Sequence, residues 1–189
     1  MRLFLLTALT MLAFAANSVL NRWAVGPGHI GAVEFACVRV VAGAVTLVAW
    51  PGRRGRAGGV LGLSVYLIGF SLAYRGLDAG TGALVLFGMV QVTMFAGAVW
   101  SREPVPTRRW VGAGLALSGL GLIAAPGAAS LGPMALMAAA GLGWGIYSLL
   151  GRSAVDPLAA TAWNFALSVP VVLPLGAVVG LARPDATGA

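Results

Sequence analysis

Charge is scarce in this 189-residue chain: 9% of residues are Asp, Glu, Lys or Arg, 59% are hydrophobic, and the mean hydropathy is +0.93. A soluble domain of this size needs an outer shell about a quarter charged. Seventeen charged side chains cannot supply that shell, so the outer solvent is read as lipid. Lysine is absent and all twelve cations are Arg, a composition bias that carries no mechanism. One cysteine (Cys37) and one histidine (His29) exclude a disulfide framework and any zinc site built from Cys and His. No cofactor is implied. The net charge of +7 does not point to nucleic acid, because the arginines lie between apolar runs, where they set topology.

Also missing is the apolar–polar alternation of a membrane barrel: Leu115-Ala116-Leu117 and Val171-Val172-Leu173 are continuously apolar. What is present is a series of apolar stretches of the length a helix needs to cross about 30 Å of hydrocarbon. They fall at 3–24, 31–50, 58–77, 80–100, 110–126, 132–151 and 158–182, joined by short segments rich in Pro, Gly and Arg. The expected fold is an all-α integral membrane protein of about seven transmembrane helices. Arg2, Arg53, Arg54, Arg56, Arg102, Arg108, Arg109 and Arg152 fall on one side of this arrangement, against Arg22, Arg75 and Arg183 on the other. The first side is therefore expected to be cytoplasmic, with the N-terminus in the cytoplasm and the C-terminus outside. A competing reading takes Arg2, the apolar run and Ala13-Phe14-Ala15 as a signal peptide with its cleavage site.

An internal repeat weighs against that reading. Ser18-Val19-Leu20-Asn21-Arg22-Trp23-Ala24-Val25 returns 130 residues later as Ser148-Leu149-Leu150-Gly151-Arg152-Ser153-Ala154-Val155, five of eight positions being identical. The same offset pairs Pro27 with Pro157, Ala32 with Ala162, Phe35 with Phe165 and Ala36 with Ala166. Five helices separate equivalent points, so the two units would cross the membrane in opposite directions. Inverted repeats of this kind underlie many secondary transporters, although duplication kept for packing symmetry alone gives the same pattern.

Several passages carry a family resemblance: Phe35 to Arg39 opening into Val40-Val41-Ala42-Gly43-Ala44, the stretch from Ala73 to Leu84, and Glu103-Pro104 after the fourth helix. Trp110 to Leu117 and Gly143 to Arg152 complete the set. In order and spacing the chain resembles the EamA-type members of the drug/metabolite transporter superfamily. That resemblance implies two inverted five-helix repeats: a complete one over 1–126 and, over 132–189, the first two helices of the second. Its implied activity is alternating-access transport, in the outward direction, of small organic metabolites or amino acids, in the cytoplasmic (inner) membrane. The second repeat is three helices short, so a longer product, a second copy or a partner chain would have to supply them. The rival expectation is a non-transporting membrane scaffold or a truncated subunit. An intramembrane enzyme is disfavoured, because no span carries a His/Cys cluster or paired carboxylates.

The substrate-binding candidates are Arg39, Asn17, Asn21, Gln91, Trp144 and Tyr147. Arg39 lies about 12 Å below one end of its helix, where a cation is costly unless paired or hydrated. It would attract a substrate carboxylate or tie helices together through a fixed one. Glu34, about 140° around the same helix, is poorly placed as its partner. Asn17 and Asn21 share a helix face at i, i+4 and would line a cavity or bond across helices. Trp144 and Tyr147 form an aromatic pair suited to an organic substrate or to packing. Gln91 is chosen over Thr93 as cavity-facing. Pro170 and Pro174 are expected to kink or break the last helix, and Gly58xxxGly62, Gly141xxxGly145 and Gly176xxxGly180 to allow close helix approach.

Overall fold

The computed structural model describes residues 2–50, 55–123 and 130–181. Within them the chain forms seven α-helices: α1 (Arg2–Val25), α2 (Ala32–Thr46), α3 (Ala57–Ala73), α4 (Ala79–Trp100), α5 (Thr107–Ile123), α6 (Leu131–Arg152) and α7 (Pro157–Leu181). Four segments, Arg2–Val25, Ala79–Trp100, Leu131–Arg152 and Pro157–Val178, are long and apolar enough to cross a membrane. The stretches expected at 31–50 and 58–77 give shorter helices than the sequence suggested. α2 has 15 residues, about 22 Å of rise, and its apolar run continues as turn after Thr46. Residues 124–126 of the fifth expected stretch, residue 182 of the last, and Arg53, Arg54 and Arg183 lie outside the described residues.

Local sequence explains where several helices start and stop. Asp78 caps α4 by accepting the Thr81 backbone N–H at 2.8 Å. Asp156 does the same for Ala159 at the start of α7, at 3.0 Å. After α1 the chain turns through Gly28, whose φ of +83° lies in the left-handed region that glycine adopts without strain. Pro170 and Pro174 sit inside α7, which nevertheless continues as helix through both, so the expected break does not occur. Proline is tolerated here because neighbouring groups can take up the freed carbonyls.

The bundle is organised around α3, which packs against α6, α7, α2 and α1. Its contact with α6 is backbone on backbone: a Cβ added to Gly62 would stand 2.7 Å from the Gly143 carbonyl oxygen, and one added to Gly143 would stand 2.6 Å from that of Gly62. Any larger residue at either position forces the helices apart. Leu63, Leu67, Phe70 and Tyr74 of this region, with Val40, Met137, Ala140 and Val172, form the buried core. The expected small-residue packing thus holds at Gly62, Gly141 and Gly145, and Gly176 rests against Cys37. Exposed large apolar side chains cover the outside, from Leu3, Phe4 and Leu9 on α1 to Leu173 and Val178 on α7. Such a surface is stable in lipid and is an aggregation hazard in water.

The register of contacts fixes helix directions. Asn17 and Asn21 of α1 meet Tyr66 and Ser71 of α3 in ascending order, and Gly59 and Val60 of α3 meet Asn164 and Ser168 of α7 likewise, so α1, α3 and α7 run together. Gly62 and Gly69 of α3 meet Gly143 and Leu136 of α6 in descending order, and Gly43 and Cys37 of α2 meet Phe165 and Val172 of α7 likewise. α2 is therefore antiparallel to α7, and α6 runs opposite to α1. One end of the bundle gathers Arg56, Arg102 and Arg152, with Arg56 donating to Ser153 at 3.3 Å and Arg152 paired with Glu103 at 2.7 Å.

Candidate functional site

Arg39 lies midway along α2 and is half-buried between α1 and α3. Its guanidinium donates to the Tyr66 hydroxyl at 3.0 Å, to Asn17 Oδ1 at 3.4 Å and to Ser71 Oγ at 3.4 Å. It also lies over two aromatic faces, 5.3 Å from the Tyr66 ring centre and 4.9 Å from that of Phe70. All of these contacts are neutral. Hydrogen bonds and ring quadrupoles make the cation tolerable in a low-dielectric site, contributing about 0.5–2 kcal/mol for each ring, but they do not cancel its charge.

Asn17 and Asn21 take the helix-crossing role that their spacing allows. Asn17 donates to the Tyr66 hydroxyl at 3.1 Å, and Asn21, fully buried, donates to Ser71 Oγ at 3.3 Å. Ser71 and Tyr66 therefore each accept from both an α1 amide and Arg39. With the Tyr66 oxygen accepting twice, its own proton is directed away from these partners. A guanidinium and a phenolic hydroxyl thus lie side by side.

The aromatic pair from α6 joins this cluster. Trp144 packs on Tyr66 with ring centres 4.5 Å apart, and touches Tyr147 at 5.7 Å and Phe14 at 6.2 Å. Tyr147 also donates to Thr161 Oγ1 at 3.0 Å, which fixes its ring against α7. Five of the six candidates, Arg39, Asn17, Asn21, Trp144 and Tyr147, are thus brought into one network.

Gln91 stands apart. It is exposed on α4 and lines a cavity of about 710 Å³ between α4 and α5, together with Phe95, Trp110, Glu103, Arg109 and Arg152. Thr93, two residues on, is buried against Gly145 and bonds back to the Met89 carbonyl at 2.8 Å. The ion pair of Glu103 with Arg152 links the end of α4 to the end of α6, with the two side chains 39% and 52% exposed.

The residues missed from sequence are those of α3, namely Tyr66, Phe70 and Ser71. A usable signal was there. Tyr66, Phe70 and Tyr74 recur at i, i+4 and i+8, and so place three aromatic rings on one face of the most enclosed helix. Among the described residues no group of three or more His, Cys, Asp or Glu side chains could hold a metal ion.

Comparison with known proteins places the chain beside one relative. It is 44% identical over 200 aligned positions to the uncharacterized protein PA1977 of Pseudomonas aeruginosa, the alignment covering 99% of this chain and 69% of that protein. The chain belongs to that protein's family. No protein-family model and no solved structure matches it.

Proposed function

We propose that the protein is a membrane carrier for small organic metabolites or amino acids, with Arg39 as the group that receives the substrate carboxylate. The observation that carries this reading is a guanidinium held inside a helical bundle by partners that, among the described residues, are neutral, next to Trp144 and Tyr147. A cation kept there at such cost suits an anionic ligand better than a purely structural tie. The aromatic rings suit the organic part of the same molecule.

The remaining expectations join the proposal. All seven helices span the cytoplasmic membrane, with the arginine-rich end and the N-terminus on the cytoplasmic side. The units 1–126 and 132–189 are inverted repeats of EamA type. The opposed directions of α1 and α6, and of α2 and α7, support this, because they are the pairs related by the offset of 130 residues. The site then lies between the repeats, where rocking of one against the other gives alternating access, with net movement outward.

A second reading, a scaffold or subunit that works only with a partner chain, rests on α1. Only 6% of its most apolar stretch is buried, although its counterpart α6 is enclosed by α3 and α4. A second copy or a partner chain would cover that face.

Flux separates the two. In proteoliposomes loaded with a mixture of amino acids and small organic acids, a carrier gives saturable, substrate-specific exchange that is lost in Arg39→Ala while helix content is unchanged. Absence of exchange from the full chain, or exchange unaltered by Arg39→Ala, contradicts the carrier reading or the assignment of Arg39 respectively.

A further inference from the structure

At the arginine-rich end, away from Arg39, an open cavity of about 190 Å³ is bordered by the start of α3, the end of α6 and the second turn of α7. Its polar lining is Arg56, Ser153 and Asn164. Three observations make this more than a gap between helix ends. Among the described residues Arg56 donates to Ser153 Oγ at 3.3 Å, a neutral partner, and forms no ion pair. Asn164 is 6% exposed, and its side-chain oxygen has no hydrogen-bond partner. A Cβ on Gly59 would stand 2.7 Å from the Asn164 amide nitrogen, and one on Gly55 would stand 2.6 Å from its oxygen, so the side chain is clamped against the first turn of α3.

Asp156 is engaged in capping α7 through the Ala159 N–H and does not line the cavity. The unmet groups are therefore a cation and one buried amide oxygen that lacks a donor. A phosphate answers the cation. A hydroxyl or ammonium carried beside that phosphate answers the Asn164 oxygen. The volume equals that of about six waters, enough for a group of this size. Arg53 and Arg54 precede Arg56 in sequence, and a cluster of arginines at the end of a membrane helix attracts anionic lipid.

We infer that this cavity binds a phosphate ester bearing a hydroxyl or amine, the chemistry of a glycerophospholipid headgroup, with Arg56 and Asn164 as its main contacts. The site is independent of Arg39 and of any transport activity.

The test uses the purified full chain in detergent and native mass spectrometry, with phosphatidylglycerol, phosphatidylcholine and soluble glycerol 3-phosphate added separately. Phosphatidylglycerol is expected to be retained in preference to phosphatidylcholine. Arg56→Gln and the near-isosteric Asn164→Asp, which puts a negative charge in the cavity, are each expected to reduce retention about tenfold or more. Arg2→Gln, an arginine at the start of α1, is expected to leave it unchanged. Both lipid-site variants are judged at unaltered helix content, and the exposed Arg56 position keeps the test valid if Asn164→Asp fails to fold. Retention of glycerol 3-phosphate alone, lost in Arg56→Gln, supports the phosphate site and identifies a soluble ligand. Retention of neither, or full retention in both variants, overturns the proposal.

Discussion

The two polar regions of the bundle are built from similar residue types and differ in what surrounds them. Around Arg39, side chains from α1, α2 and α3 bond directly to one another, and Tyr66 and Ser71 each accept two hydrogen bonds. Between α4 and α5, Gln91, Arg109, Glu103 and Arg152 line an open cavity, and their one ion pair is largely exposed. Among the described residues, the first region holds a cation whose hydrogen-bond partners are neutral; the second holds a cation whose partner is a carboxylate. A paired surface charge is already balanced, whereas an unbalanced enclosed charge is poised for an anionic ligand. The proposed carrier function therefore rests on the first region and not on the second.

The comparison can be broken most directly at Arg39. Arg39→Ala is expected to reduce carboxylate binding by about 10- to 100-fold, the equivalent of a charge-assisted hydrogen bond of about 1.5–3 kcal/mol, measured by ligand titration of the purified protein. Arg39→Lys keeps the charge but loses the fork that bonds Tyr66, Asn17 and Ser71 together, so it should fall between. Tyr66→Phe preserves the rings against Trp144 and Phe70 while removing the hydroxyl that accepts from Arg39 and Asn17. Its expected cost is about tenfold in the same titration, with little change in thermal stability.

Smaller effects sharpen the contrast from the other side. Asp78→Ala removes the α4 cap and should lower stability by about 1 kcal/mol in a thermal melt. The bonds that Asp78 accepts from the Thr81 side chain and backbone hold its carboxyl below the usual carboxylate range. Because the folded-state value is depressed, the cap's contribution is complete above about pH 4 and is lost as pH falls through the folded value. Asp78→Ala should therefore flatten any loss of stability in that acid range. Glu103→Ala breaks an exposed ion pair and should cost less than about 1 kcal/mol, and Gln91→Ala should leave carboxylate binding unchanged.

Helix number and placement were legible because each apolar run is long and ends in Pro, Gly or Arg. The end of α2 was not, since Leu47-Val48-Ala49-Trp50 past Thr46 is as apolar as the helix before it and only tertiary packing decides where the helix stops; past Ala73, by contrast, Arg75 and Gly76 did mark the end of α3. Arg39 was legible as an isolated cation in an apolar helix, and Asn17 and Asn21 as neighbours on one face. Their common partner α3 was not read as part of the site, because tyrosine and serine are unremarkable in a membrane helix until another helix brings a donor to them. Gln91 shows the converse: a polar residue in mid-helix need not face the centre, and periodicity alone did not say which side of α4 would be covered.

The most direct measurement is a thermal-shift titration of the detergent-purified full chain with paired ligands, each amino acid or small organic acid set against its uncharged amide, in wild type and Arg39→Ala. A carboxylate site centred on Arg39 predicts stabilisation of the wild type by acids and not by their amides, absent from Arg39→Ala. Equal stabilisation by acid and amide, or stabilisation by acids that survives in Arg39→Ala, would contradict it.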